Sequence, residues 1–229
     1  MRAAIFYVPE DDDPLARAGA NWLGRDAVSD APVTQPSQKL ACVTKAPARY
    51  GFHATLKPPM HLATSLDALA DDVAALATRT ATFPLPRLVV GRMGDALALL
   101  EEVRSAALQD LCDRCVELLD RHRLPPSAVE LARRRDVALS ALEETMLARW
   151  GYPYVFGAWR FHITLTSALP SKVFAARARL AARHFAPALT IPREVRSLAL
   201  FIEPEPGADF KLARRFPLTS TPIIMKSMC

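Results

Sequence analysis

The sequence predicts an α+β protein of two lobes, related by a pseudo-twofold axis around a central cleft. Three observations carry that expectation. Gly51-Phe52-His53-Ala54-Thr55-Leu56-Lys57-Pro58-Pro59 and Arg160-Phe161-His162-Ile163-Thr164-Leu165-Thr166 both contain His-x-Thr-Leu, and both alternate with the period-two pattern of a β-strand. The context repeats as well: Pro84 stands 31 residues after His53 and Pro192 stands 30 after His162, with turns near Asp95 and Gly207 at 42 and 45. A stretch of helical spacing follows each motif. Residue identity between the copies is low, so the repeat speaks to architecture alone.

Taken in order, Met1 to Pro9 reads as a first strand, too short for a secretory apolar region and followed at once by acidic residues. Asp11-Asp12-Asp13-Pro14 forms a helix start, with proline at the first helical position, and Gly24 closes that helix. Asp30 to Pro47 is rich in Pro, Ser and Thr and reads as an extended surface loop. Pro58-Pro59 stops the first His-x-Thr strand. Ser65 to Thr80 carries an apolar stripe of Leu66, Leu69, Ala70, Val73, Leu76 and Ala77. Leu88-Val89-Val90 and Ala96 to Leu100 flank Gly91-Arg92-Met93-Gly94-Asp95 as a hairpin, and a long helix runs from Ser105 to His122. A broken helical region spans Pro125 to Arg149. After the second motif, a helix from Pro170-Ser171 to His184 precedes strands at Ala188 to Ile191, Ser197 to Ile202 and Phe210 to Leu218.

Composition bounds the function. Half of the 229 residues are hydrophobic, enough for a core, and the net charge of +5 suits an anionic substrate without indicating nucleic-acid binding. Arg133-Arg134-Arg135 reads as a solvated face. No run reaches the roughly 18 apolar residues of a membrane span. Cys42, Cys112, Cys115 and Cys229 have no disulfide-framework spacing, so a cytoplasmic protein with reduced thiols is expected. Cys112-x-x-Cys115 lacks a second ligand pair and lies in a helix, where its thiols share one core-facing side; no metal or cofactor is expected.

Strand parity assigns the chemistry. Residues i and i+2 share a face, which puts His53, Thr55 and Lys57 together, and Arg160, His162, Thr164 and Thr166 together. Imidazole titrates near pH 6.5, so His53 and His162 are suited to act as general base and general acid at one centre. Thr55 and Thr164 supply hydroxyl donors for phosphate oxygens, and Lys57, Arg160 and Arg49 add positive charge. Tyr50 joins them as a substrate contact, with Tyr152 and Tyr154 as further aromatics. His61 is expected near the cleft rim. His122 and His184, near helix C-termini, read as structural.

His53-Ala54-Thr55-Leu56 and His162-Ile163-Thr164-Leu165 together resemble the paired motifs of the 2H phosphoesterases. More narrowly, Arg49 to Pro59, Glu130-Leu131-Ala132-Arg133-Arg134 and Trp150-Gly151-Tyr152-Pro153-Tyr154 resemble the branch found with bacterial phosphonate-utilisation operons. The resemblance covers most of the chain up to about Leu218. It implies a single 2H phosphoesterase-like domain over 1–229 with lobes at about 1–104 and 105–218, antiparallel sheets lining a groove and helices outside. A helical insertion at about 125–150 and a C-terminal tail complete it. It also implies a metal-independent phosphodiesterase acting on a small ribose- or nucleotide-type cyclic phosphate, in phosphonate metabolism. Two other readings stay open at this point: an enzyme acting on RNA ends with 2′,3′-cyclic or 2′–5′ linkages, and a non-catalytic phosphate-ester-binding protein. Neither a membrane partner nor an oligomeric state is indicated.

Overall fold

A computed structural model describes residues 1–220. The chain opens with β1 (Arg2–Tyr7), and Asp13 caps α1 (Pro14–Leu23) by accepting from the Leu15 backbone N–H. Gly24 ends α1 at φ 82°, the left-handed conformation that glycine adopts without penalty. A short ribbon, β2 (Arg25–Asp26) and β3 (Ala31–Pro32), leads to α2 (Ala41–Ala48). The expected loop from Asp30 to Pro47 thus contains a helix. Leu40, Thr44 and Pro47, spaced as i, i+4 and i+7, are buried, and that local stripe outweighs the loop-like composition.

Strand β4 (Ala54–His61) carries the first motif, and α3 (Leu66–Thr78) follows, capped by Ser65 and burying five of the six stripe residues. Next come β5 (Phe83–Leu85) and the hairpin of β6 (Leu88–Met93) and β7 (Ala96–Glu101). Helix α4 (Ala106–Leu118) buries Cys112 and Cys115 in the core, as their spacing implied. The insertion is two short helices, α5 (Ala128–Arg134) and α6 (Ala141–Trp150), each started by a Ser–Glu capping box.

The second motif forms β8 (His162–Thr164), followed by α7 (Ser171–Leu189), β9 (Arg193–Val195), β10 (Ser197–Glu203) and β11 (Lys211–Pro217). The strand expected at Ala188 to Ile191 is instead the end of α7. Ala181, Phe185 and Ala188 extend a buried helical stripe past His184, and the strand begins two residues after Ile191. Of the tail beyond Leu218, Thr219 is tied to Thr80 and Thr82 by backbone hydrogen bonds; Cys229 lies outside the described residues.

Seven strands form one antiparallel sheet in the order β11-β10-β1-β4-β8-β7-β6. The motif strands are neighbours at its centre, paired through Ala54 and Ile163, the middle residue of each motif. The Pro-marked strands β5 and β9 also pair with each other. Corresponding parts of the repeat therefore meet near the pseudo-twofold axis. The sheet does not divide in chain order, however. The hairpin β6–β7 stands beside β8, whereas β10 and β11 stand beyond β1, on the side of β4. Each half of the sheet therefore mixes segments from the expected 1–104 and 105–218.

One sheet face carries Ala3, Ile5, Tyr7, Leu56, Leu99, Ile163 and Leu200 into the main core with α1, α3, α4 and α7. The other carries Ala4, Phe6, Val8, Ala199 and Phe201 into a smaller cluster with Phe210. The motif histidines belong to that second face.

Candidate active site

Each histidine is oriented by the same local device. The Nδ1–H of His53 donates to the Gly51 carbonyl at 2.9 Å, and the Nδ1–H of His162 donates to the Arg160 carbonyl at 2.8 Å. In both copies the acceptor lies two residues upstream, and pinning Nδ1–H leaves Nε2 as the lone-pair nitrogen. Gly51 sits at φ 80°, and a Cβ there would come within 2.3 Å of Ala27 Cβ, so glycine holds this carbonyl in place. The His53 Nε2 accepts from the Thr55 hydroxyl at 3.3 Å.

The surroundings of the two rings differ. His53 packs against Phe6 with ring centroids 3.9 Å apart, and Tyr50 lies 6.0 Å away. Burial pushes the His53 pKa down to about 4, with the nearby His162 charge adding to the fall. Burial also lowers the His162 pKa from its usual value, against the hydrogen bond to Arg160. The His162 charge acts on His53, and each ring keeps an Nε2 lone pair, that of His53 met only by the Thr55 hydroxyl at 3.3 Å, so the two can take a proton and give one.

A cavity of about 660 Å³ opens beside His162, lined also by Thr55, Arg160, Tyr152, Tyr154 and Trp159; His53 is not part of its lining. Trp159 fixes its wall by donating from Nε1 to the Thr55 carbonyl at 2.9 Å. Arg160 donates to the Gly157 and Trp159 carbonyls and is exposed at the cavity. Thr164 is half-buried on the His162 side of β8. Tyr50 stacks on Phe210 at 4.9 Å. His53, His162, Thr55, Thr164, Arg160 and Tyr50 thus gather at the sheet centre.

Lys57 does not join them. The register between β1 and β4 shifts on both sides of the Ile5–Lys57 pair, and these bulges turn Lys57 to the main-core face with Ile5. There it is 2% exposed and donates to the Val116 carbonyl at 2.9 Å and to Asp120 at 3.1 Å. Thr166 is also absent from the site. β8 ends at Thr164, so strand parity no longer applies, and the buried Thr166 hydroxyl accepts from the Leu97 N–H at 3.0 Å. Arg49 is held by Glu203, which also pairs with Arg2. His61 is exposed and lines a separate cavity with Arg2 and Glu130. His122 bonds Asp72 and Thr64, and His184 donates to the Ala18 carbonyl; both are structural.

A family model matches residues 55–211. The chain belongs to that family, described as "Protein of unknown function (DUF1045)". Two curated proteins are similar to it, both called "Ribose 1,5-bisphosphate phosphokinase PhnN". That of Janthinobacterium sp. (strain Marseille) is 36% identical over 95% of this chain and 51% of that protein. That of Laribacter hongkongensis (strain HLHK9) is 38% identical over 93% of this chain and 51% of that protein. The chain spans about half the length of the curated relatives it matches. Among solved structures, "E.coli LigT complexed with 3'-AMP" is similar at 14% identity and a TM-score of 0.43, covering 95% of this chain and 98% of that one. A "phosphoesterase" crystal structure matches with the same identity, score and coverage.

The family member's sequence also held signals that strand parity could not use. Tyr152, in Trp150-Gly151-Tyr152-Pro153-Tyr154, lines the cavity, with Tyr154 edge-on at 5.6 Å. Arg134, which reads from sequence as part of a solvated run, lies over the Tyr152 ring with its guanidinium carbon 4.7 Å from the centroid. Nothing in either segment's periodicity predicts that they meet. Among the described residues, no three His, Cys, Asp or Glu side chains gather in a metal-binding group, and no helix is long and apolar enough to cross a membrane.

Proposed function

We propose that the chain is a phosphodiesterase of the 2H type, opening the cyclic phosphate of a small ribose-containing molecule without a metal. The observation that carries this reading is the matched pair of imidazoles, each with Nδ1–H fixed on a carbonyl two residues upstream, which makes Nε2 the lone-pair nitrogen. His53, the more strongly held in the neutral form, takes a proton from water as its oxygen attacks phosphorus. His162 arrives protonated, because the bound phosphate's negative charge favours its cation, and delivers that proton to the alkoxide as the ring P–O bond breaks. Thr55, Thr164 and Arg160 hold the non-bridging oxygens, and Tyr50 flanks the substrate near His53.

A phosphorylated ribose fits the printed name of the curated relatives, whose activity concerns ribose 1,5-bisphosphate. It also fits a role in phosphonate metabolism, as the sequence resemblance implies. The test is a screen of ribose and nucleoside cyclic phosphates with EDTA present, using His53→Ala and His162→Ala as controls. The expected result is EDTA-resistant ring opening that both variants lose. Full activity in either variant would sink the mechanism. The assignment of roles has its own test: His162→Ala should lose less on a p-nitrophenyl diester, whose leaving group needs no proton, than on an alkyl ester.

A further inference from the structure

Among the described residues, the guanidinium of Arg134 has no hydrogen-bond or ion-pair partner. α5 ends in Arg133 and Arg134 and is followed by Arg135, and the fates of the three differ. Arg135 pairs with Glu144 of α6, and Arg133 faces the outer cavity with Arg2 and Glu130. Arg134 turns inward onto Tyr152; its Nε is buried without a hydrogen bond, and no carboxylate pairs with it among the described residues. Glu130, one turn before it, is committed to the capping box with Ser127. Glu203 is shared by Arg2 and Arg49, so the nearby carboxylates are spoken for. Burial disfavours the Arg134 cation, with Arg133 and Arg2 adding to that and Tyr152 and Glu130 opposing it. Leaving a buried charged donor unsatisfied costs more than an ordinary hydrogen bond returns, so the missing acceptor is expected to come from a ligand.

Tyr152 links this cation to His162, because the same ring lines the cavity that contains Thr55 and His162. An anion there would sit beside the reacting phosphate without competing for His53 or His162. A planar guanidinium with free N–H groups matches a phosphate's paired oxygens.

We propose that Arg134, carried in by the helical insertion and stacked on Tyr152, binds a second phosphate group on the substrate. The substrate class is then a phosphorylated ribose with one reacting cyclic diester and one distant phosphomonoester. This deepens the phosphodiesterase reading and rests on it for the first phosphate. The two can nevertheless fail separately.

The test compares probes that differ only in the second phosphate. Binding of adenosine 3′,5′-bisphosphate and of 3′-AMP is measured by calorimetry on the whole chain. Turnover is measured on adenosine 2′,3′-cyclic phosphate with and without a 5′-phosphate. The wild-type protein should favour the doubly phosphorylated partner by about tenfold to a hundredfold, the range of a charge-assisted bidentate contact. In Arg134→Gln that ratio should fall to about one, and Arg134→Lys, which keeps the charge but not the fork, should recover part of it. Thermal melts check that both variants fold. An equal preference in wild type, or a preference that survives Arg134→Gln, overturns the proposal. An Arg134-dependent binding preference with no turnover of either cyclic probe leaves the second-phosphate site standing and removes the esterase reading.

Discussion

The two His-x-Thr strands share a motif but not a fate. β4 runs for eight residues, follows directly on His53, which packs against Phe6, and diverts Lys57 through bulges into the core. β8 is three residues long and hands its chain to a loop before Thr166. The histidine is oriented identically in both, because the carbonyl two residues upstream is a local partner. Everything two residues downstream of the threonine differs, because it depends on neighbouring strands. A repeated motif thus fixes the reacting group and leaves its surroundings free to diverge, which suits a pair that must act in opposite senses.

The comparison can be broken most forcefully at the rings. His53→Ala and His162→Ala should each lower kcat by about 10²-fold to 10⁴-fold on the responsive substrate, the range for a general acid or base. A large loss from one ring alone would mean that the copies are not a catalytic pair. Thr55→Val and Thr164→Val should cost about 10²-fold in kcat if both hydroxyls hold the transition-state oxygens, and steady-state kinetics on each variant decides whether the two sides contribute alike.

Downstream of the threonines, stability and activity should separate. Lys57→Met removes a buried cation bonded to Val116 and Asp120 and should destabilise by roughly 2 kcal/mol in denaturant melts, with kcat retained. A large kcat loss with normal stability would return Lys57 to the site. Thr166→Val strips the buried Leu97 N–H of its acceptor and should cost about 1 kcal/mol, again with kcat retained.

The finest distinction is in titration. Folding lowers both imidazole pKa values, so the unfolded chain binds more protons than the folded one below the ordinary value of 6.5. This contribution to stability is fully present above pH 6.5 and is lost as pH falls through that window towards about 4, the His53 value. In proton NMR, the His53 ring signals should move near pH 4 and those of His162 below the ordinary imidazole range. A His53 midpoint near 6.5 would show that Phe6 does not shield it from water.

Much of the fold was legible where the signals were local. Asp13-Pro14, Ser65 and Gly24 mark helix ends through backbone hydrogen bonds and a left-handed residue, so α1 and α3 follow from sequence. The hairpin around Gly94 followed for the same reason. α2 and the end of α7 were harder to read. Their buried stripes begin inside segments rich in proline or small residues, and packing against α1 and the sheet decides them. Of the candidate site, His53, His162, Thr55, Thr164 and Arg160 follow from motif and parity and Tyr50 from its aromatic ring beside the first motif, whereas Lys57 and Thr166 obeyed parity only on paper.

The sequence by itself determined the pair of histidines, their threonines and the repeat that brings the motif strands together, because these rest on short-range spacing and on a period that folding preserves. Only the tertiary structure decided which positive charges lie near the motif histidines. A bulge against β1 sent Lys57 to the opposite face, Glu203 engaged Arg2 and Arg49, and the insertion laid Arg134 over Tyr152 with no hydrogen-bond acceptor for its Nε among the described residues. The reason is physical: strand period tells which way a side chain starts, but register and the presence of a counter-charge are set by residues distant in the chain.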